Sequence, residues 1–133
     1  MRSLAREAVF KYIFSRLFNR DDEGLFDVLL INDGLVGDDG LFAKNLLLSV
    51  DANYDKYMNK IGEMSEKFKL SRVFNTDKCA ILIGMAELDN FPETPVPVVI
   101  NEAVNLAAKY STEKSTDFVN GILARYAEEK LYG

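Results

Sequence analysis

The chain has 133 residues, of which 48% are hydrophobic, so its length and composition predict a single domain spanning residues 1–133. Sixteen basic and 21 acidic residues give a formal charge of −5, which argues mildly against nucleic-acid binding as a property of the whole chain. With no histidine and one cysteine, the sequence excludes an intramolecular disulfide, the usual catalytic triads and most zinc sites.

The first predicted helix covers residues 3–19, where apolar residues form one broad stripe and Phe10, Phe14 and Phe18 form a second. Two stripes mean that the helix is packed on two sides or presents aromatic rings to a partner. Residues 1–20 hold five basic residues and one acidic residue, whereas residues 21–39 hold seven acidic residues and no basic one. This asymmetry predicts one face that receives an anion and another that points away from it.

The middle of the chain predicts further helices over residues 24–32 and 41–68, the latter in two pieces joined near Asp51. The glycines and aspartates at residues 32–34 and 37–40 predict turns between them. A calcium loop is excluded by its spacing and by the missing glutamate at the twelfth position.

Residues 78–90 are almost continuously apolar, which predicts a central helix with Asn75 or Thr76 as its N-cap and a buried Cys79. Prolines then lead into a helical hairpin over residues 96–129, whose second helix is expected to have Ser115 or Thr116 as its N-cap. Gly121 lies inside that helix, where glycine costs about 1 kcal/mol, so we expect a backbone or ligand to approach it closely. The fold class is therefore all-α: about seven helices packed as two small helical bundles, the second built around residues 76–130.

The patterns of chemistry that would indicate an enzyme are missing. No glycine pattern forms a phosphate-binding loop, and no base is positioned to activate a serine. We therefore expect no catalytic residue, no cofactor and no metal site. Since no apolar run approaches membrane-spanning length and the start MRSLAREAVF lacks the layout of a signal peptide, we expect no membrane association and a cytoplasmic setting.

The stretch INEAVNLAAKYS, followed by DFVNGILARYA, resembles the C-terminal signature of the NusB family of bacterial transcription antitermination factors. The resemblance continues through SRVFNTDKCAILIGMAEL and FAKNLLLSV to LAREAVFKYIF at the start, and it weakens over residues 20–38. It implies a protein that binds boxA RNA of ribosomal transcripts together with NusE, a small ribosomal-subunit protein. That complex is expected to join RNA polymerase and suppress termination.

The resemblance also implies which residues carry the function. The family's arginine-rich start contacts RNA, and the motif FVNG forms a second part of the RNA surface. Lys114 stands where some members have an acidic residue near the RNA. The positions matching the RNA surface are Arg2, Arg6, Lys114, Phe118, Asn120 and Gly121. Phe14 and Asp77 match positions that face NusE, as an aromatic contact and an acidic partner for a basic residue.

Three alternatives remain open from the sequence. NusB-like domains also precede RNA methyltransferase domains, although we expect no such domain here because the chain ends at Gly133. Some relatives pair and cover the RNA face, so a homodimer or self-associating helical module is a second alternative. The third is that residues 96–129 form a plain helical hairpin with Phe118 in its core.

Overall fold

Seven α-helices account for most of the computed structural model, which describes residues 2–17, 23–65 and 70–132, and these residues contain no strand. A short 3-10 helix at Leu70–Arg72 precedes the fifth helix. The helices are α1 Arg2–Arg16, α2 Glu23–Asn32, α3 Gly37–Ala52, α4 Tyr54–Met64, α5 Asn75–Asn90, α6 Val96–Tyr110 and α7 Glu113–Tyr132. The predicted all-α class with about seven helices is confirmed.

Helix α5 is the central element, because its residues 79–87 are all buried. It packs on α1, α3 and α4 on one side and on α6 and α7 on the other, so it belongs to both bundles. The buried side chains of the two bundles form one continuous cluster. An element apolar all round must be covered on every side, which is why its sequence predicted this central place.

Helices α5 and α7 approach each other closely at Gly84 of α5. A Cβ built there would lie 2.5 Å from Leu123 Cδ1 of α7, so any larger residue would force the Leu123 side chain to move. The sequence had predicted that a backbone or a ligand approaches Gly121, and no backbone of the described chain does so. A Cβ at Gly121 meets nothing within 4 Å, and the position faces solvent.

Several helix ends differ from the sequence-based expectations. Residues 37–40 form the first turn of helix α3 rather than part of the connection between two helices. Gly37 has a φ of 60°, which favours glycine. The predicted break near Asp51 is confirmed, since α3 and α4 are separated at Asn53. The turn predicted at residues 32–34 does follow α2, where the Gly34 N–H donates to the Ile31 carbonyl at 3.1 Å.

The caps of α5 and α7 also lie one to four residues before the predicted positions. Helix α5 begins at Asn75, so Phe74 precedes it without a side-chain cap and neither Asn75 nor Thr76 is the N-cap. Helix α7 begins at Glu113, and Thr112 Oγ1 accepts a hydrogen bond from the Ser115 N–H at 3.3 Å. Thr112 is therefore the cap in place of Ser115 or Thr116.

The aromatic residues of α1 are divided between the core and its edge. Phe10 is buried and stacks on Tyr110 with ring centroids 4.9 Å apart, while Phe14 is partly buried against the core. Phe18, the third member of the stripe, lies outside the described residues, as do Arg20, Asp21, Asp22 and Phe68. Of the two alternatives for the aromatic stripe, packing inside the protein therefore applies to Phe10. None of the described helices is long and apolar enough to cross a membrane.

Candidate nucleic-acid interface

A cleft of about 610 Å³ opens where the start of α5 meets the start of α7. We call it the α5–α7 cleft. It is lined by residues 72–74 before α5, by Asp77 of α5, and by residues 112–115 and Phe118 of α7. The two helix starts meet because α5 and α7 pack against each other at Gly84 and Leu123.

Two aromatic side chains and two cations line this cleft. Phe74 is 58% exposed although it is large and apolar, and Phe118 is partly buried against the core. Lys114 precedes Phe118 by one helical turn and makes no ion pair with another described residue. Arg72, at the end of the 3-10 helix, adds a second exposed positive charge. Aromatic rings beside cations are the usual elements of a single-stranded RNA surface.

Asp77 lies at the inner side of the cleft and is only 4% exposed. Its Oδ2 accepts a hydrogen bond from Ser115 Oγ at 3.0 Å, and Ser115 Oγ lies 2.8 Å from Ser111 Oγ. Its Oδ1 is buried and has no hydrogen-bond partner among the described residues. Burial raises the pKa of Asp77, and the neighbouring hydroxyls of Ser111 and Ser115 offset that rise only in part.

Phe14 belongs to a shallower surface that adjoins the cleft. It lines a second depression together with Tyr110, Ser111 and the start of α5. Phe74 and Thr112 line both depressions, so the surface around Phe14 continues into the α5–α7 cleft. The two residues predicted to face a protein partner, Phe14 and Asp77, therefore share one face with Phe118 and Lys114.

Arg2 lies at the opposite end of α5 from the cleft. Its guanidinium lies 4.4 Å from the Phe42 ring centroid and 3.9 Å from Glu93 Oε1, beyond the end of α5. The axis of α5 rises about 1.5 Å per residue, so its two ends are more than ~20 Å apart. The structure thus does not bring Arg2 together with Phe118 and Lys114, and any single ligand must span both ends.

Arg6 is buried, although the family resemblance implied that it contacts RNA together with Arg2. It is 4% exposed, and its Nε and Nη2 donate to Glu87 Oε1 and Oε2 at 2.7 and 2.6 Å. Its Nη1 also donates to Glu102 Oε1 at 3.0 Å. The guanidinium therefore joins α1 to α5 and α6, and a direct contact with RNA would require this ion pair to break.

The other cations of α1 also lie near acidic partners. Arg16 donates to Asp51 Oδ1 at 2.5 Å, and Lys11 Nζ lies 4.0 Å from Glu7 Oε1. The positive charge of residues 1–20 is thus largely compensated in the folded chain, over the part of α1 that the structure describes. Counting charges along the sequence does not reveal these partners, some of which lie on other helices.

Asn120 and Gly121 are exposed on α7, two and three residues beyond Phe118. Without a side chain at Gly121, the solvent-facing surface next to Phe118 stays flat. The motif FVNG therefore presents a partly buried ring followed by an open strip of helix. At Gly121, nothing lies within 4 Å of the place a Cβ would occupy.

Known proteins resemble this chain over almost its whole length. The model of the NusB family matches residues 2–128. The chain belongs to the NusB family. A transcription antitermination protein NusB from Natranaerobius thermophilus is 33% identical over 132 residues, covering 96% of this chain and 95% of that protein.

Solved structures agree with this family membership. The structure of NusB from T. maritima superimposes with a TM-score of 0.88 at 30% identity, covering 97% of this chain and 92% of that one. A structure of the antitermination factors NusB and NusE in complex with double-stranded RNA matches with a TM-score of 0.81. At 24% identity, covering 96% of each chain, that last match speaks for the fold alone.

Two residues of the cleft in this NusB-family chain were missed from the sequence, namely Arg72 and Phe74. They lie within the stretch SRVFNTDK, which was used for the family resemblance but not for the site. A large aromatic residue directly before a helix start is a usable signal, because such a residue packs on the helix or stays exposed. Here Phe74 stays exposed at the mouth of the cleft.

Proposed function

We propose that this protein is a transcription antitermination factor that binds boxA RNA of ribosomal transcripts together with NusE. The observation that carries the proposal is the family match over residues 2–128. The α5–α7 cleft supports it, because the ring of Phe118 and the ammonium of Lys114 line one concave surface. A splayed base stacks on an aromatic ring, and a neighbouring cation holds its phosphate.

In this proposal the RNA surface extends from the cleft along α7 to Asn120 and Gly121 and reaches Arg2 at the far end of α5. Arg6 acts indirectly, because its ion pair with Glu87 fixes the start of α1 and hence the position of Arg2. Few unpaired cations then contact phosphates, so the salt dependence of binding is shallow. We therefore expect the protein alone to bind boxA RNA weakly and NusE to strengthen the binding.

The protein partner binds in this proposal beside the cleft, at the surface around Phe14. Its support is that this depression combines the partly buried rings of Phe14 and Tyr110 with the exposed ring of Phe74. Aromatic side chains on a concave surface are typical of protein interfaces. Phe14→Ala is expected to weaken NusE binding while leaving the helix content unchanged.

The wider assembly follows from the family role. The proposed complex of this protein, NusE and boxA RNA joins RNA polymerase in the cytoplasm of a bacterium, and the protein itself catalyses no reaction. A homodimer would compete with RNA if it covered the α5–α7 cleft. Sedimentation with and without RNA tests this point, since RNA would then dissociate the dimer.

A fluorescence-anisotropy titration with labelled boxA RNA at several salt concentrations tests the proposed RNA surface. Lys114→Ala should weaken binding and reduce the slope of log K against log salt by about 0.7, the value for one phosphate contact on a single strand. Lys44→Ala, an exposed lysine of α3 outside the cleft, is the matched control and should leave the slope unchanged.

Phe118→Leu should weaken binding without changing the slope, since stacking releases few counterions while leucine retains apolar packing. A melting curve of the same variant excludes loss of the fold as the cause. The proposal fails if neither variant affects binding, or if the wild type does not bind boxA RNA with or without NusE.

A further inference from the structure

A groove between α2 and α3 exposes large aliphatic side chains to solvent. Its volume is about 630 Å³, and the buried residues Leu30 and Leu35 belong to its lining. Ile31 is 74% exposed, Val36 78% and Leu41 57%, and all three also line the groove. Single exposed aliphatic residues are common on protein surfaces, whereas a contiguous apolar patch marks an interaction site. We call this surface the α2–α3 groove.

The connection between α2 and α3 gives the groove its shape. The Leu35 N–H donates to the Leu30 carbonyl at 2.9 Å and the Gly34 N–H to the Ile31 carbonyl at 3.1 Å. These two hydrogen bonds form a Schellman motif, which returns the chain onto the end of α2. A Cβ at Gly40 would lie 2.8 Å from the Leu35 carbonyl oxygen, so the connection lies directly against the first turn of α3. The groove is therefore shaped by backbone rather than by movable side chains.

The α2–α3 groove is separate from the α5–α7 cleft, since no described residue lines both. It lies at the other end of α5. Leu41 of the groove is followed by Phe42, whose ring lies 5.1 Å from the ring of Phe91, the residue directly after α5. The cleft and the surface around Phe14 lie at the start of α5. An occupant of the groove therefore leaves Phe14 and Phe118 accessible.

The charges around the groove are mainly negative. Residues 24–44 hold four aspartates and one cation, Lys44. Asp27 lines the groove, Asp38 lies one helical turn before Leu41, and both are exposed. Neither carboxylate forms an ion pair with any side chain that the structure describes. A nucleic acid, an anionic lipid surface or the same acidic groove of a second copy would be repelled, whereas a basic segment would be attracted.

We propose that the α2–α3 groove binds a basic amphipathic helix of a partner protein. The aliphatic side chains of that helix cover Ile31, Val36 and Leu41, and its lysines or arginines pair with Asp27 and Asp38. A helix laid in a groove buries one apolar face and keeps its charges at the edges, which matches the apolar lining and the acidic surroundings. The inference goes beyond the proposed function, because this contact is additional to boxA RNA and NusE and depends on neither.

The test uses a synthetic peptide of leucine and lysine, about four helical turns long with its leucines on one face, in an anisotropy titration. A peptide of the same pattern with glutamate in place of lysine is the comparison probe. The wild type should bind the lysine peptide about tenfold more tightly than the glutamate peptide. Ile31→Ser should lower affinity for the lysine peptide about tenfold, since the interface loses a buried aliphatic side chain. Leu131→Ser, at a similarly exposed position near the end of α7, should leave it unchanged.

Charge reversal tests the acidic surroundings separately. Asp27→Lys combined with Asp38→Lys should reverse the preference, so that the glutamate peptide binds more tightly. The matched control is Asp55→Lys combined with Glu128→Lys, which changes the net charge equally and should keep the wild-type preference. Asp55 lies in the first turn of α4 as Asp38 does in the first turn of α3. Melting curves establish that each variant is folded, and Asp27→Asn with Asp38→Asn, which should abolish the preference, replaces a lysine variant that is not.

The outcomes are distinct. Equal affinity of the wild type for the two peptides overturns the proposal, and so does an unchanged affinity in Ile31→Ser, because the peptide then binds elsewhere. A wild-type dimer in sedimentation that Ile31→Ser dissociates would assign the groove to a second copy and also overturns the proposal. Ile31→Ser should bind boxA RNA with NusE like the wild type. If the wild type binds the lysine peptide in the groove but not boxA RNA with NusE, the proposed function fails and this inference stands.

Discussion

Replacing Arg6 tests whether this residue holds the fold together or contacts RNA directly. Arg6→Ala removes three charged hydrogen bonds that join α1 to Glu87 of α5 and Glu102 of α6. Glu87 is 1% exposed, so the variant leaves a buried carboxylate without its counter-charge. Breaking a buried ion pair by removing one partner costs about 3–5 kcal/mol.

That magnitude is large enough to measure by thermal or urea unfolding. A loss of 3–5 kcal/mol corresponds to roughly 10–20 °C in the melting temperature of a chain of this size. The control is Arg2→Ala, because Arg2 is half exposed and its nearest acidic oxygen is 3.9 Å away. Surface ion pairs of that kind contribute at most about 1 kcal/mol, so Arg2→Ala should melt within a few degrees of the wild type.

A double variant that removes both charges tests the same ion pair in a second way. Arg6→Met combined with Glu87→Leu removes both charges and should recover much of the stability lost in Arg6→Ala, since apolar residues often replace a buried ion pair without loss. If Arg6→Ala melts like the wild type and only its RNA affinity falls, the ion pair between Arg6 and Glu87 does not stabilise the fold. Arg6 would then be a direct RNA contact.

Three further predictions concern stability and its pH dependence. Gly121→Ala should raise the free energy of unfolding by about 1 kcal/mol in a urea titration, because alanine favours helix and its Cβ meets nothing within 4 Å, and destabilisation would contradict the open environment. The pKa of Asp77 is raised, so the native chain binds its proton more tightly. Its contribution to stability is therefore present at acid pH and is lost as pH rises through the raised pKa. Melting of Asp77→Asn against pH should lack that loss. Burial alone would raise the pKa of Asp89, but hydrogen bonds from Lys130, Tyr126 and Tyr57 lower it. The stability that the Asp89 carboxylate contributes to the fold is therefore present above about pH 4 and is lost as the pH falls. Because Asp89→Asn lacks the carboxylate, its melting temperature should depend less on pH in the acid range.

The helices were predictable because each one carries its own periodicity. The apolar run of residues 79–86 in α5 predicted both a helix and its central place, and the structure confirms both. Helix ends were less accurate, since Gly37 and Thr112 act through local geometry that composition does not specify. Gly121 was expected to mark the close approach of a backbone or ligand. Within the described chain the close approach lies at Gly84, whose neighbour Leu123 is 39 residues further along.

The environment of the site residues was the least predictable part. Arg6 was expected with Arg2 on the RNA surface, yet it is buried against Glu87, which lies 81 residues further along the chain. Asp77 was expected at a helix start, which is correct, but its burial depends on Ser115 of another helix. Charge patterns along a sequence do not contain such long-range pairs, because packing brings them together.

Binding of boxA RNA with and without NusE tests the central claim most directly. Isothermal titration of the protein with a boxA oligonucleotide, alone and with saturating NusE, measures both affinities and the stoichiometry. The account predicts weak binding alone and tighter binding with NusE, in a complex of one copy of each component. By linkage, RNA must strengthen NusE binding by the same factor. Failure of boxA RNA to bind even with saturating NusE would contradict the account.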